Sequence, residues 1–299
     1  MSPADRRLER RYARVLRLYP TAYREERGPE LLATLLDAAD DKRHQLPGLL
    51  LGALRAHAGQ DRRTLRDTWL TASRIAVLAL LVSSVLTAPL RFSLYFAYGA
   101  PVDQWLIDQS VPDLVATPFG LTALVLTLRG RYLGAAVAAV VAVVVATPLW
   151  MMNNNGEGAF LRYVFAALLL LPLVRHAPRP AAGLLRYVPL LPAVVMGVDQ
   201  FSSYLLPSVV GRVSFAVTVA IGVGAIVWAA VDERVTLAVG LTFLTDALVW
   251  TVGLSVFVFQ AGGIMGSMAA LGLSVAFTAG VPALLLGVAA VAARRQVRL

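Results

Sequence analysis

Residues 132–152 read YLGAAVAAVVAVVVATPLWMM, a run without a single charged side chain. Twenty-one residues at the α-helical rise of about 1.5 Å make a rod of about 30 Å, the thickness of a bilayer's hydrocarbon core. This stretch predicts a membrane-spanning helix, and the chain around it repeats the pattern. Of 299 residues 58% are hydrophobic and 15% charged, with a mean hydropathy of +0.69. Soluble domains average about 45–50% apolar and about 25% charged residues, so a soluble globular protein and a disordered chain are both excluded. Working outward, the other apolar runs are Leu70–Tyr98, Leu114–Leu128, Ala159–Val174, Tyr187–Leu206, Val213–Val231, Val235–Phe259 and Ile264–Ala293. The fold class is therefore all-α, a polytopic membrane helix bundle of about eight spans.

The loops orient the spans. With the amino terminus inside, the cytoplasmic connections carry Arg129, Arg131, Arg175, Arg179, Arg186, Arg234, Arg294, Arg295 and Arg298, while the outside carries only Arg91, Arg162 and Arg212. Arginine enrichment on one side marks the cytoplasm, so both termini are expected there. The outside segment from Arg91 to Asp113 holds Phe92, Tyr95, Phe96, Tyr98 and Trp105. It reads as an extended first helix followed by a short interfacial helix starting at Pro101. An aromatic belt at the membrane surface is expected, with an outward ligand-sensing loop as the alternative.

Charge is concentrated at the amino terminus. Residues 1–74 hold 15 of the 27 basic and 10 of the 18 acidic residues. About seventy polar residues precede the first span, which is not the pattern of a cleaved signal peptide, so this head is expected to be retained. The expected division is a cytoplasmic three-helix domain over 1–68 and a transmembrane domain over 69–299. In the head, Leu8, Tyr12, Val15, Leu16 and Tyr19 recur at helical spacing up to Pro20. A second helix is expected to begin at Pro29 with Leu31, Leu32, Leu35 and Leu36 as its apolar stripe, and a third near Pro47. A core this small is marginal alone, so packing on the membrane, a partner or a second copy is expected. Lys42 is the only lysine, and with abundant Ala, Leu and Val this points to a GC-rich bacterial genome.

The stretch RYARVLRLYPTAYREERGPELLATLLDAAD, residues 11–40, resembles the amino-terminal prefix domain of many bacterial, especially actinobacterial, membrane proteins. The resemblance rests on Leu18-Tyr19-Pro20, Tyr23-Arg24-Glu25 and Gly28-Pro29-Glu30, and covers about residues 8–66. Related prefixes precede permeases of the ABC type, which act with a separate ATPase, and similar helical domains accompany PadR-type transcription regulators. The resemblance thus implies a cytoplasmic regulator or a separate ATPase as partner, beside the bilayer itself. Tyr19, Pro20, Tyr23, Arg24 and Glu30 are candidate partner-docking residues, the alternative being a helix corner in which Tyr19 and Tyr23 cover the core. The head's net charge of +5 suits an anionic lipid surface, and with no DNA-binding motif nucleic acid is not an expected partner.

Motifs for chemistry are absent from the sequence. There is no cysteine, no P-loop, no H-E-x-x-H and no G-x-S-x-G, and His44, His57 and His176 lack ligand spacing. No enzymatic activity, cofactor or metal is expected. Two acids stand inside apolar runs, Asp199 and Asp246, with Gln200, Ser202, Ser203, Thr242 and Thr245 as polar company. Each lies near the expected midplane, where a charge costs about 2.5–3.5 kcal/mol on insertion scales. Asp199, Gln200 and Asp246 are the candidate intramembrane polar site, either binding a cation or proton or holding helices together. Gly130-x-x-x-Gly134 and Gly262-x-x-x-Gly266 are candidate close-packing motifs. The expected function is regulatory or accessory, coupling the membrane bundle to a cytoplasmic partner; the alternative is a small secondary transporter that uses Asp199 and Asp246.

Overall fold

The computed structural model describes residues 12–37, 49, 52–56, 64–97, 104–152, 159–177, 183–191, 193–195, 210–261 and 280–292. Among the described residues there is no strand. The longer helices among the described residues are α1 (Thr21–Asp37), α2 (Leu65–Ala97), α3 (Gln104–Leu128), α4 (Tyr132–Met152), α5 (Ala159–Arg175), a 3₁₀ helix (Gly183–Leu190), α6 (Val210–Trp228), α7 (Glu233–Ala261) and α8 (Gly280–Ala292). Three of them contain segments long and apolar enough to cross a membrane: Leu65–Leu90 of α2, Ser110–Leu128 of α3 and Tyr132–Leu149 of α4.

The chain divides into two compact units. One comprises residues 1–64 with Ala230–Asp232, the other Leu65–Ala229 with Glu233–Leu299. In the larger unit α2 is the central helix: 78% of its membrane-length segment is buried, against 33% for those of α3 and α4. It packs on α3, α5, α7 and the 3₁₀ helix.

Small side chains make this close packing possible. On α4, Ala135, Ala139, Ala142 and Ala146 are fully buried, whereas Leu133, Val137 and Val144 keep 57–66% of their surface exposed. On α3 the buried line runs Ser110, Asp113, Ala116, Gly120, Ala123 and Thr127, while Leu121, Val125 and Leu128 point outward. Water-soluble helices do the reverse and bury their largest aliphatics. Small residues inside and large aliphatics outside is the arrangement of helices in lipid, where close backbone approach rather than the hydrophobic effect holds the bundle.

Hydroxyls within these helices bond to their own backbone. Ser84 and Thr87 on α2, Thr117, Thr122 and Thr127 on α3, Thr147 on α4 and Thr251 on α7 each donate to the carbonyl four residues earlier, at 2.6–2.9 Å. This lets a polar side chain occupy an apolar surrounding without water. Pro112 and Pro118 lie inside α3 without breaking it.

Two sequence expectations about helix limits are corrected here. In place of a short interfacial helix from Pro101 followed by a separate span from Leu114, α3 runs continuously from Gln104 and takes in Asp108 and Asp113. In the head, α1 begins at Thr21, directly after Pro20, and not at Pro29, which sits within it. Pro29 and Glu25 are both exposed, so the carbonyl that the proline leaves without a donor belongs to a residue on the helix's exposed side.

The α3–α4 connection is two residues of turn and one of coil. Gly130 has φ +73° and donates its N–H to the Thr127 carbonyl, while the Arg131 N–H donates to that of Leu126. These paired bonds form a Schellman cap, which needs the left-handed conformation that glycine adopts at least cost. Nothing stands within 4 Å of a Cβ built on Gly130, so its role is conformational, whereas one built on Gly134 would stand 3.2 Å from Leu126 Cδ1 of α3, so the close approach expected of this motif is found at Gly134 only. Gly262 and Gly266 lie outside the described residues. Arg74 Nη2 on α2, 3.5 Å from the Leu128 carbonyl, places a cation at the negative end of α3.

The smaller unit has its own core of Leu16, Tyr19 and Ala53, with Tyr23, Leu31, Leu32 and Ala56 packed on it. Arg55 Nε donates to the Ala230 carbonyl at 2.7 Å within this unit.

Candidate functional site

The sequence marks Asp246 as the charge most in need of a partner, and the fold supplies one. Arg162 Nε donates to Asp246 Oδ1 at 3.1 Å, joining α5 to α7 across 84 residues of sequence. The two positions correspond in height. Arg162 lies thirteen residues before Arg175 at the end of α5, and Asp246 thirteen residues after Glu233 at the start of α7. Each is about 20 Å along its helix from those ends at 1.5 Å per residue. α5 shares a core with α2, α3 and α4, and α7 shares one with α2, so the pair sits beside the helices that are long enough to span. In a membrane an unpaired charge at a helix centre costs about 2.5–3.5 kcal/mol, and pairing offsets most of that demand.

Neither side chain is enclosed. Arg162 keeps 21% of its surface and Asp246 45%. The two hydroxyls expected to keep Asp246 company are otherwise engaged: Thr242 Oγ1 donates to the Ala238 carbonyl at 2.9 Å, and Thr245 Oγ1 to that of Leu241 at 3.1 Å. Asp199 and Gln200, the other members of the predicted polar site, lie outside the described residues.

Next to Arg162, Tyr163 turns into the bundle. It is 2% exposed, and its phenol oxygen has no hydrogen-bond partner. Asp113 and Arg162 are the charges that act on it. Its ring reaches α3 at Gly120, where a Cβ would stand 2.6 Å from the phenol oxygen and 2.8 Å from Cε1. Higher on the same face of α3, Ser110 Oγ is also buried without a partner. Arg162 and Tyr163 thus divide two tasks at one helix end: one ties α5 to α7 by charge, the other wedges α5 against α3 by shape.

Sequence reading places Arg162 in an outside loop and does not single out Tyr163 or Gly120. A signal for Arg162 was present, since it follows Ala159, Phe160 and Leu161 in AFLRYVFAALLLL and so falls inside the apolar run and not before it. No signal identifies Asp246 as its partner, because their proximity depends on how α5 and α7 pack.

Where α2 and α7 begin, Thr68 Oγ1 of α2 donates to Glu233 Oε1 of α7 at 3.4 Å, and Thr236 Oγ1 of α7 to the Ala225 carbonyl of α6 at 2.6 Å. These bonds hold the start of α7.

The predicted docking residues of the head divide by exposure. Tyr19 is 6% exposed, its hydroxyl donates to the Leu49 carbonyl at 3.0 Å, and its ring stacks on Tyr23 at a centroid distance of 5.4 Å. Pro20, Tyr23 and Arg24 are half-buried and Glu30 is exposed. Tyr19 is thereby a core residue, and the surface available for docking is that of the other four. No group of three or more potential metal ligands occurs among the described residues. No protein-family model, curated protein or solved structure matches the chain.

Proposed function

We propose that this chain is a regulatory or accessory protein of a bacterial plasma membrane, with about eight spans, both termini cytoplasmic and a helical head that passes the state of a cytoplasmic partner to the membrane bundle. One observation carries this reading. The head's compact unit takes in Ala230–Asp232, the connection between α6 and α7, and Arg55 holds that connection through the Ala230 carbonyl. Covalent continuity does the rest: whatever displaces the connection acts on the first turn of α7, and α7 is tied to α5 through Asp246 and Arg162. Coupling therefore needs a partner on the head, for which Pro20, Tyr23, Arg24 and Glu30 offer the surface. The prefix resemblance points to a regulator or a separate ATPase as that partner.

The same ion pair weighs against Asp246 as an ion carrier. Its charge is already balanced by Arg162, so taking up a cation would require that bond to break. The reading involves no catalysis and no cofactor.

The test is recovery of tagged protein from membranes, full-length and lacking residues 1–64, with identification of what co-purifies. A specific cytoplasmic partner held by the full chain and lost from the shortened one is expected. A partner that stays bound after the head is removed would overturn the docking role. Proton uptake into proteoliposomes that disappears in Asp246→Asn would instead establish the transporter.

A further inference from the structure

A recess opens where α4 begins and α5 ends. It holds about 300 Å³, at the lower end of the range of about 300–1,000 Å³ for small-ligand sites. Leu173 of α5, fully buried, and Tyr132 of α4, 6% exposed, back it. Its other walls face outward, since Leu133 keeps 66% and Val174 40% of its surface. Arg131 lines it as well, Arg129 and Arg175 lie close by in the chain, and all three are exposed. None of these guanidinium groups has an ion-pair partner among the described residues, and no acid lines the recess.

We infer that this recess binds the headgroup of an anionic phospholipid, with the phosphodiester on Arg131 and the acyl chains along the apolar surface next to it. Height agrees with this: the membrane-length segment of α4 starts at Tyr132, so the recess lies at the level of one bilayer surface. Charge selects the lipid. A guanidinium bonds two phosphate oxygens at once through its planar fork. Three unpaired cations favour a headgroup of net negative charge. The amine of a zwitterionic headgroup would find no carboxylate in the recess. Continuity with aliphatic surface selects a lipid over a soluble phosphate. From Leu133 the exposed face of α4 continues through Val137 and Val140, and from Val174 that of α5 continues back through Leu171 and Leu168. An acyl chain covers such a surface and inorganic phosphate does not. The inference rests on the membrane reading above and is independent of what the head binds.

The test uses the purified full chain and native mass spectrometry, which counts the lipids retained from an equal mixture of phosphatidylglycerol and phosphatidylcholine. Phosphatidylglycerol is expected to be retained about tenfold over phosphatidylcholine, and Arg131→Gln to cut that preference about fivefold, the effect of one arginine at an anionic surface. Leu133→Trp keeps every charge but fills the recess from an exposed position, and is expected to cut it too. Arg17→Gln, an equal loss of charge at an exposed position in the head, is expected to leave it unchanged. Excess inorganic phosphate is expected not to displace the lipid. Equal retention of the two lipids, an equal effect of Arg17→Gln, or full retention in Leu133→Trp overturns the proposal. Displacement by phosphate also overturns it and makes the recess a site for a free anion. Alkaline extraction of membranes checks the membrane reading separately. A chain that resists extraction yet shows no lipid preference sinks the recess alone, and one that is extracted sinks both.

Discussion

Tyr163 occupies space that only glycine at position 120 leaves open: a methyl group there would stand 2.6 Å from the phenol oxygen and 2.8 Å from the ring. Both atoms belong to a ring that is buried between α3 and its neighbours, so the ring has nowhere to turn. Gly120→Ala is expected to destabilise the bundle by about 1–3 kcal/mol, the usual cost of overpacking. Tyr163→Phe is expected to behave differently. The hydroxyl is buried without a partner, and losing it removes a desolvation penalty of about 1–3 kcal/mol, so the variant should be as stable as the parent or more so. Thermal unfolding in detergent measures both. A clear loss in Tyr163→Phe would mean that the hydroxyl has a partner of its own.

The Arg162–Asp246 bond lends itself to a double-mutant cycle. Each single change, Arg162→Leu or Asp246→Leu, leaves an uncompensated charge beside α2 and should cost more than the pair is worth in net terms. The double change removes both charges and should recover most of the loss, as apolar replacement of ion pairs commonly does. A coupling energy of about 0.6–1.7 kcal/mol is expected for an interhelical polar contact in a membrane. Additive single effects would show that the two groups do not interact.

A side chain at Gly130 should cost stability, although nothing crowds it. Its φ of +73° disfavours an L-residue, so Gly130→Ala is expected to cost about 1 kcal/mol. Gly130→Asn, which accepts the left-handed conformation more readily, should cost less. Equal stability of all three would remove the conformational role.

In the head, Tyr19 and Gly52 make a second size-matched pair. A methyl on Gly52 would stand 2.5 Å from the Tyr19 hydroxyl but 3.5 Å from the next ring atom. Tyr19→Phe alone loses the bond to the Leu49 carbonyl and should cost about 1 kcal/mol. Gly52→Ala should be harmful in the parent and nearly harmless in the Tyr19→Phe background. Protease resistance of the head in the full chain reports the effect, and additivity of the two changes would count against the contact.

Reporter fusions check the orientation. Fusions after Thr64 and Gly130 should report the cytoplasm, and one at Asn154 the exterior, because the connections at Arg129–Arg131 are basic and the α4–α5 connection carries Glu157. The reverse result at Gly130 and Asn154 would remove α3 as a span.

Composition and periodicity determined the helical class, and where uncharged runs were long they determined helix limits as well. The run 132–152 is α4 from end to end, and the expected start at Ala159 is where α5 begins. These limits are legible because they are local: a helix in an apolar medium must satisfy its own backbone, so charge and turn chemistry at its ends set its length. Where the run was broken by Pro112 and Asp113, local signals argued for two pieces, and only packing of the small-residue face of α3 on its neighbours made one helix of them. The partner of Asp246 was not legible at all. A carboxylate in an apolar run announces that it needs company but not which of the chain's arginines will provide it. That choice was made by the antiparallel packing of α5 and α7 at matching height, as the choice of glycine at position 120 was made by the ring of Tyr163. Both depend on distances between segments far apart in the chain, which tertiary structure alone sets.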